Sequence, residues 1–167
     1  QQEGKKSGIS IKMNSLSDYG MIDKLYEASR AGVKIKLIIR GINCLIPQVP
    51  GMSDNIESIS IVDKFLEHPR LYIFENDNNP VVFISSADWM TRNIDHRVEV
   101  TCPIYDNDIK QELIETFNIS WKDNVKARDF SSNRENAYRP KSGPDFRSQF
   151  ETYSYYKNKL QAAETKK

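Results

Sequence analysis

His68 and Arg70 stand two residues apart around Pro69, just ahead of the apolar run "LYIF". In an extended segment residues i and i+2 share a side, so imidazole and guanidinium can converge on one ligand. After the turn "ENDNNP" a second apolar run, "VVFISS", returns the chain, and a hairpin would bring Ser85 and Ser86 back to the level of His68. Histidine titrates near neutral pH and suits acid–base work. Arginine offers a planar fork matched to phosphate oxygens. The pair makes half of a phosphate site, or else an ordinary hairpin with a structural histidine and a surface charge.

Other candidates sit at predicted strand ends. "KIKLIIR" delivers Arg40 to the end of an apolar run, with Gly41 permitting a sharp exit. An arginine there is costly to bury unpaired, so it meets a carboxylate or awaits an anion. In "NIDHRVEV" a strand reading places Arg97 beside Asp95 and Glu99, which leaves a cross-strand ion pair as the alternative to an anion contact. The loop "SSADWMTRN" offers Ser86 and Arg92; it could hold an anion through hydroxyls and N–H groups, or form an Asx-capped turn. Asp54, Glu57 and Asp63 show no metal-ligand spacing, and no metal ligand is assigned.

The elements that must position these residues alternate between strand and helix. "GISIKM" reads as a strand, and the helix after it has Ser17 or Asp18 as N-cap and Gly32 just past its end. "VKIKLIIR" follows as a second strand. Strand, helix and strand imply a right-handed crossover and a parallel pair in an α/β sheet. The stretch 41–55, with its prolines and glycines, reads as a loop, "IESIS" as a short strand, and "SIVDKFLEH" as a short helix with Ile61, Val62, Phe65 and Leu66 inward. The hairpin "RLYIF-ENDNNP-VVFISS" comes next, then a strand "RVEVTCPIY", a helix "NDIKQELIETFNISWKDN", a polar stretch from Lys126 to Asp145, and a final helix docking through Phe150, Tyr153 and Tyr156. The fold expected is α/β, a mixed sheet flanked by helices. It forms one domain over 1–167, with 130–167 packing on or beside it.

Composition narrows the class. With 167 residues, 38% of them hydrophobic, the chain can bury a core as one domain. A net charge of +1 advertises no nucleic-acid partner, so any anion site must be local. Cys44 and Cys102 fit neither a zinc spacing nor a disulfide framework and read as reduced thiols. No apolar run is long enough to span a membrane, and the polar start without Met points to a piece of a longer chain.

At these residues the sequence resembles a known family. "GVKIKLIIRGINCLIPQVPGMSDNIESISIVDKFLEHPRLYIF", "VFISSADWMTRNIDHRVEVTCPI" and "DNVKARD" resemble the C-terminal part of polyphosphate kinase, in the long-chain bacterial class that works through a phosphohistidine. The resemblance runs from Ile9 to Arg128, with a looser echo in "FRSQFETYSYYKNKL". It implies a phospholipase D-like domain, and His68-x-Arg70 with Glu75 and "SSADW" is similar to the phospholipase D pattern, with Arg in place of Lys. It further implies reversible transfer of the terminal phosphate of ATP to polyphosphate. The phosphate-carrying histidine would lie in an upstream domain, and Mg²⁺ would accompany ATP. Carried over by position, Arg40 and Arg97 would bind phosphate, and His68 would bind it and act as second active-site histidine. Arg70, Ser86, Arg92 and Lys12 are weaker candidates. A tunnel for the polymer would need further cations, for which Lys12, Arg70, Arg92, Lys126 and Arg128 are candidates. Lys12 and Arg92 rank higher because they flank strand ends, although a solvated surface is the usual place of Lys and Arg. Implied partners are ATP or ADP, polyphosphate, the upstream domains and a further copy of the chain, but no nucleic acid. The implied location is cytoplasmic, with peripheral membrane association of the full-length enzyme. Two other readings stand beside it: a phospholipase D-type phosphodiesterase acting as a dimer, and a non-catalytic module that binds polyphosphate or nucleotide.

Overall fold

The computed structural model describes residues 4–130, 136–141 and 143–165. β1 (Gly8–Met13) leads through Asp18 into α1 (Tyr19–Arg30). The Asp18 carboxylate accepts the Met21 N–H at 3.0 Å, capping a donor that the helix cannot satisfy itself. Gly32, at φ 87°, ends the helix in the left-handed conformation open to glycine, and β2 (Lys34–Ile39) begins two residues later. β1 and β2 are parallel, with Ile11 opposite Leu37 and Met13 opposite Ile39.

β3 (Ile56–Ile61) extends the parallel set. β4 (Leu71–Phe74) and β5 (Val81–Ser85) form the expected hairpin. Its turn places Asn76, Asp77 and Asn78 at positive φ, which Asn and Asp tolerate better than most residues. Next come α2 (Thr91–His96), β6 (Thr101–Ile104), α3 (Asn107–Trp121), β7 (Ala127–Phe130), β8 (Ala137–Tyr138) and α4 (Ser148–Glu164). The strands make one mixed sheet in the order β6-β5-β4-β1-β2-β3-β7-β8. β1 pairs parallel with β2 but antiparallel with β4. The carboxyl ends of β1 and β2 therefore lie at the same edge as the start of β4 and the end of β5.

Both faces of the sheet are covered. On one, Ile11, Met13, Leu37 and Ile39 pack with Ile22 and Leu25 of α1. On the other, Ile38, Ile59, Leu71, Ile73 and Val82 pack with Phe117 of α3. This two-sided burial explains why Leu37, Ile38 and Ile39 are consecutive apolar residues rather than an alternating pattern. Each such side chain contributes about 1.5–3 kcal/mol when fully buried. Among the described residues no helix is long and apolar enough to cross a membrane, and Cys44 and Cys102 are free and exposed.

Three local expectations fail. Residues 62–70 form no helix, and Val62, Phe65 and Leu66 face solvent instead of the core. Pro69 disfavours helix at the residue before it, and so short a helix has little intrinsic stability. Residues 91–96 are helical rather than extended, so the alternation read through Asp95, His96 and Arg97 does not exist. The buried Asn93, whose amide donates to Glu99 Oε1 at 2.6 Å, folds that stretch back on itself. Finally, the stretch read as merely polar contains β7 and β8. The Arg128 guanidinium lies over the Tyr138 ring at 3.9 Å from its centre, where the edge pair is formed.

Asp123 organises this last region. It is fully buried, and its carboxylate accepts N–H bonds from Val125 (2.9 Å), Lys126 (2.6 Å) and Ala127 (3.0 Å) on one oxygen and from Ser148 (2.8 Å) on the other. Burial pushes this carboxyl up, but the N–H groups of Lys126, Ser148 and Val125 outweigh that effect and hold it below the ordinary range. One carboxylate thus joins the end of α3, the start of β7 and the first residue of α4. Asp123→Asn would set an NH₂ group against one of these donors. It should destabilise the domain by about 1–3 kcal/mol, measured as a lower urea midpoint at pH 7.

Candidate functional site

Asn14 leaves the carboxyl end of β1, Arg40 leaves that of β2, and His68 and Arg70 approach the start of β4. The sheet topology puts all four at one edge, where ligands of open α/β sheets collect. Arg40 Nε and Nη2 donate to Asn14 Oδ1 at 2.9 and 2.6 Å. Arg40 Nη2 also lies 3.2 Å from His68 Nδ1, and Arg70 Nη2 lies 2.7 Å from His68 Nε2. The imidazole is therefore bracketed by two guanidiniums. A neutral imidazole has one acceptor nitrogen, so it can accept from only one of them at a time. Donor capacity is left over, facing outward.

The two arginines differ in their counter-charges. Arg70 pairs with Asp88 through Nε (3.3 Å to Oδ1) and Nη2 (3.1 Å to Oδ2). Asp88, only 4% exposed, also accepts the N–H groups of Asn14 (2.9 Å) and Ser15 (3.1 Å). Burial pushes the Asp88 carboxyl up, but Arg70 and the two N–H groups together hold it below its usual value. Arg40 has no carboxylate partner among the described residues. Of the two fates that the sequence left open for it, the carboxylate is not realised. Its charge stays uncompensated beside a second guanidinium, which is what an anion site requires.

The remaining candidates are disposed differently. The Ser86 hydroxyl donates to Glu99 Oε2 and accepts the Val100 N–H at 3.0 Å, so it is engaged in fastening the hairpin to the residues after α2. Arg97 lies just beyond α2, exposed, and makes no hydrogen bond or ion pair with the described residues. The Ser86 and Asn93 hydrogen bonds hold the Glu99 carboxyl below its ordinary value, with smaller help from the nearby charges of Arg97 and Arg70. Arg97 thus forms no ion pair with Asp95 or Glu99, although its charge lies near enough to Glu99 to favour that carboxylate's ionised form. Arg92 is exposed on α2. The Lys12 ammonium turns toward α3, where it meets Glu67 and donates to Ser120 Oγ at 2.9 Å. Glu75 is at the far end of β4, paired with Lys6 at 2.9 Å, and Arg128 is on the β7–β8 edge.

Three residues that position the site escaped the sequence reading. Asn14 could have been found by the reasoning that singled out Arg40, since it too ends a strand. Asp88 and Glu67 carry no such signal, because their partners are distant in sequence. Beside His68 a cavity of about 520 Å³ opens between the sheet, α3 and α4. Leu71, Ile84, Leu113 and Phe117 make its walls apolar, with Lys12 and Arg70 at polar positions. Among the described residues no group of three or more His, Cys, Asp or Glu could hold a metal ion.

The fold is one shared with a solved phospholipase D family structure. Nuc of Salmonella typhimurium, a phospholipase D family member, superposes with a TM-score of 0.57 at 16% identity, over 77% of this chain and 85% of that one. The narrower assignment is decided by sequence. The family model for polyphosphate kinase C-terminal domain 2 matches residues 1–149, and the chain belongs to that family. It is 55% identical over 156 residues to polyphosphate kinase of Vibrio cholerae, covering 93% of this chain and 22% of that protein. The crystal structure of polyphosphate kinase from Porphyromonas gingivalis superposes with a TM-score of 0.93 at 42% identity, over 96% of this chain and 25% of that one. The chain thus spans about a quarter of the length of these relatives.

The Arg70–Asp88 pair has a pH signature. The Asp88 carboxyl is depressed in the fold, so its contribution is complete above its unfolded value near 4 and is lost as the pH falls through the lower folded value. Arg70→Ala should cost about 1–3 kcal/mol at pH 7. The gap between variant and parent in denaturant titrations should close as the pH is lowered below about 4.

Proposed function

We propose that this chain supplies one half of the active site of a longer polyphosphate kinase, which transfers the terminal phosphate of ATP reversibly to polyphosphate. The observation that carries this reading is Arg40, a cation with no carboxylate partner, held by a neutral amide and an imidazole beside Arg70. Phosphoryl transfer needs little covalent chemistry from its surroundings. It needs preorganised positive charge where negative charge accumulates on the moving phosphate.

In this reading Arg40 and Arg97 take phosphate oxygens, and His68 binds the phosphate and stabilises or protonates its leaving oxygen. The covalent phosphohistidine belongs to a part of the longer protein outside this chain. Arg70 has a different task. Its charge is matched by Asp88, so it orients His68 through Nε2 and adds little net attraction for an anion. Lys12, Ser86 and Arg92 are at most auxiliary contacts for the polymer, since Lys12 and Ser86 are already engaged. The residues present do not fit a resident Mg²⁺. Asp88, Glu67 and Glu99 are committed to Arg70, Lys12, and Ser86 with Asn93 respectively.

The test is turnover in a chain extended to the length of the relatives. Arg40→Ala and His68→Ala should each lower polyphosphate synthesis from ATP by about 100-fold or more. Arg97→Ala should weaken short-chain polyphosphate binding in calorimetric titration, by a factor that shrinks at high salt. Full turnover in Arg40→Ala would overturn the reading. Metal-independent phosphodiesterase activity lost in His68→Ala would favour the dimeric phospholipase D alternative instead.

A further inference from the structure

The segment that carries His68, residues 62–70, has no helix or strand of its own, and its Val62, Phe65 and Leu66 side chains face solvent. Apolar packing of those side chains therefore cannot fix it. It is held by side chains from distant parts of the chain, chiefly the start of α4. Arg147, the residue before α4, grips the carboxylate of Asp63 with Nε (2.8 Å) and Nη2 (2.5 Å). One residue into the helix, Gln149 makes three bonds to the segment. Its Nε2 donates to the Phe65 carbonyl and to Glu67 Oε1, each at 2.8 Å, and its Oε1 accepts the Phe65 N–H at 2.9 Å. The other oxygen of Glu67 takes the Lys12 ammonium, which is anchored to Ser120 of α3.

A side-chain amide that satisfies both the N–H and the C=O of one residue acts as a strand partner would. It fixes backbone position, not just a rotamer. Through Glu67 the same amide reaches the residue immediately before His68. The start of α4 is itself fixed by the Asp123 carboxylate on the Ser148 N–H. Contacts therefore run unbroken from Asp123 through Ser148 and Gln149 to Phe65 and Glu67, and end one residue short of the imidazole.

We propose that Gln149 is a positioning residue for His68, which keeps the imidazole seated between Arg40 and Arg70. This rests on the function proposed above, in which His68 meets the transferring phosphate. The imidazole contacts of 3.2 and 2.7 Å leave little slack. A displacement of about 1 Å can cost about 100-fold in an aligned site. Gln149 is one of several tethers, so its loss moves His68 by less. Arg40 and Arg97 keep their hold on phosphate oxygens when Gln149 is lost, so the loss falls chiefly on the step that His68 assists and less on binding.

The experiment compares Gln149→Ala with His68→Ala and the parent in the chain extended to the length of the relatives. Gln149→Ala should reduce kcat about tenfold, with KM for ATP changed less than about twofold. Hydrogen exchange in the peptide containing Phe65 should quicken, while protection of α1 and β2 stays unchanged. A kcat within about twofold of the parent, with His68→Ala inactive, would overturn the positioning role and leave the function standing. A general loss of protection, or unchanged exchange at Phe65, would overturn it too. If His68→Ala keeps full turnover, the functional reading fails first and the positioning role falls with it.

Discussion

The Asp88 carboxylate lies almost wholly out of water and stays ionised only because three donors converge on it. Two are backbone N–H groups at the exit of β1, and the third is the guanidinium that precedes β4. Asp88 itself belongs to the loop after β5. Three segments that topology merely brings to one edge are thereby locked into register with one another. Without that lock the β1 exit would carry unpaired N–H groups, and Arg70 would have no fixed direction from which to meet His68. The bracketed imidazole is a consequence of the buried pair.

The two arginines separate matched from unmatched charge. Arg70 is neutralised and serves orientation, whereas Arg40 is restrained by a neutral amide that directs its guanidinium without cancelling it. A carboxylate at position 14 would hold Arg40 as well but would screen it from any anion. Nuc of Salmonella typhimurium shares the fold at only 16% identity, so the fold by itself does not set the chemistry. The residues at its edge set the chemistry. In this chain they leave Arg40 without a carboxylate partner among the described residues while Arg70 has one.

A second carboxylate, Asp123, does for α4 what Asp88 does for the site edge. It satisfies four N–H groups at a junction without regular pairing. The aromatic side chains expected to dock α4 contribute less. Phe150, Tyr153 and Tyr156 all remain substantially exposed, and the helix is secured at its first turn and by Lys159 on Glu112 of α3. Burial, together with the Glu112 hydrogen bond, pushes the Tyr156 hydroxyl up to about 12. The helix is thereby bound more by polar contacts than by its apolar stripe.

Much of this was already present in the order of residues. Local rules gave the crossover from β1 to β2, the caps at Asp18 and Gly32, the hairpin and α3, since each depends on neighbours within a few positions. His68 with Arg70, and Arg40 at a strand end, were legible for the same reason: spacing and strand direction are local quantities. The helix read over "SIVDKFLEH" (60–68) and the alternation read through Asp95, Arg97 and Glu99 failed because contacts beyond those patterns decide there.

 Phe65 and its partner Gln149 are 84 positions apart, and the ion pair of Arg70 with Asp88 spans 18. No window short enough to show a period contains such pairs. The sequence by itself determined which residue types stand at the ends of which strands. Only the tertiary structure decided which cation is paired with a carboxylate and which is left free, because that depends on long-range contacts that a local pattern does not encode.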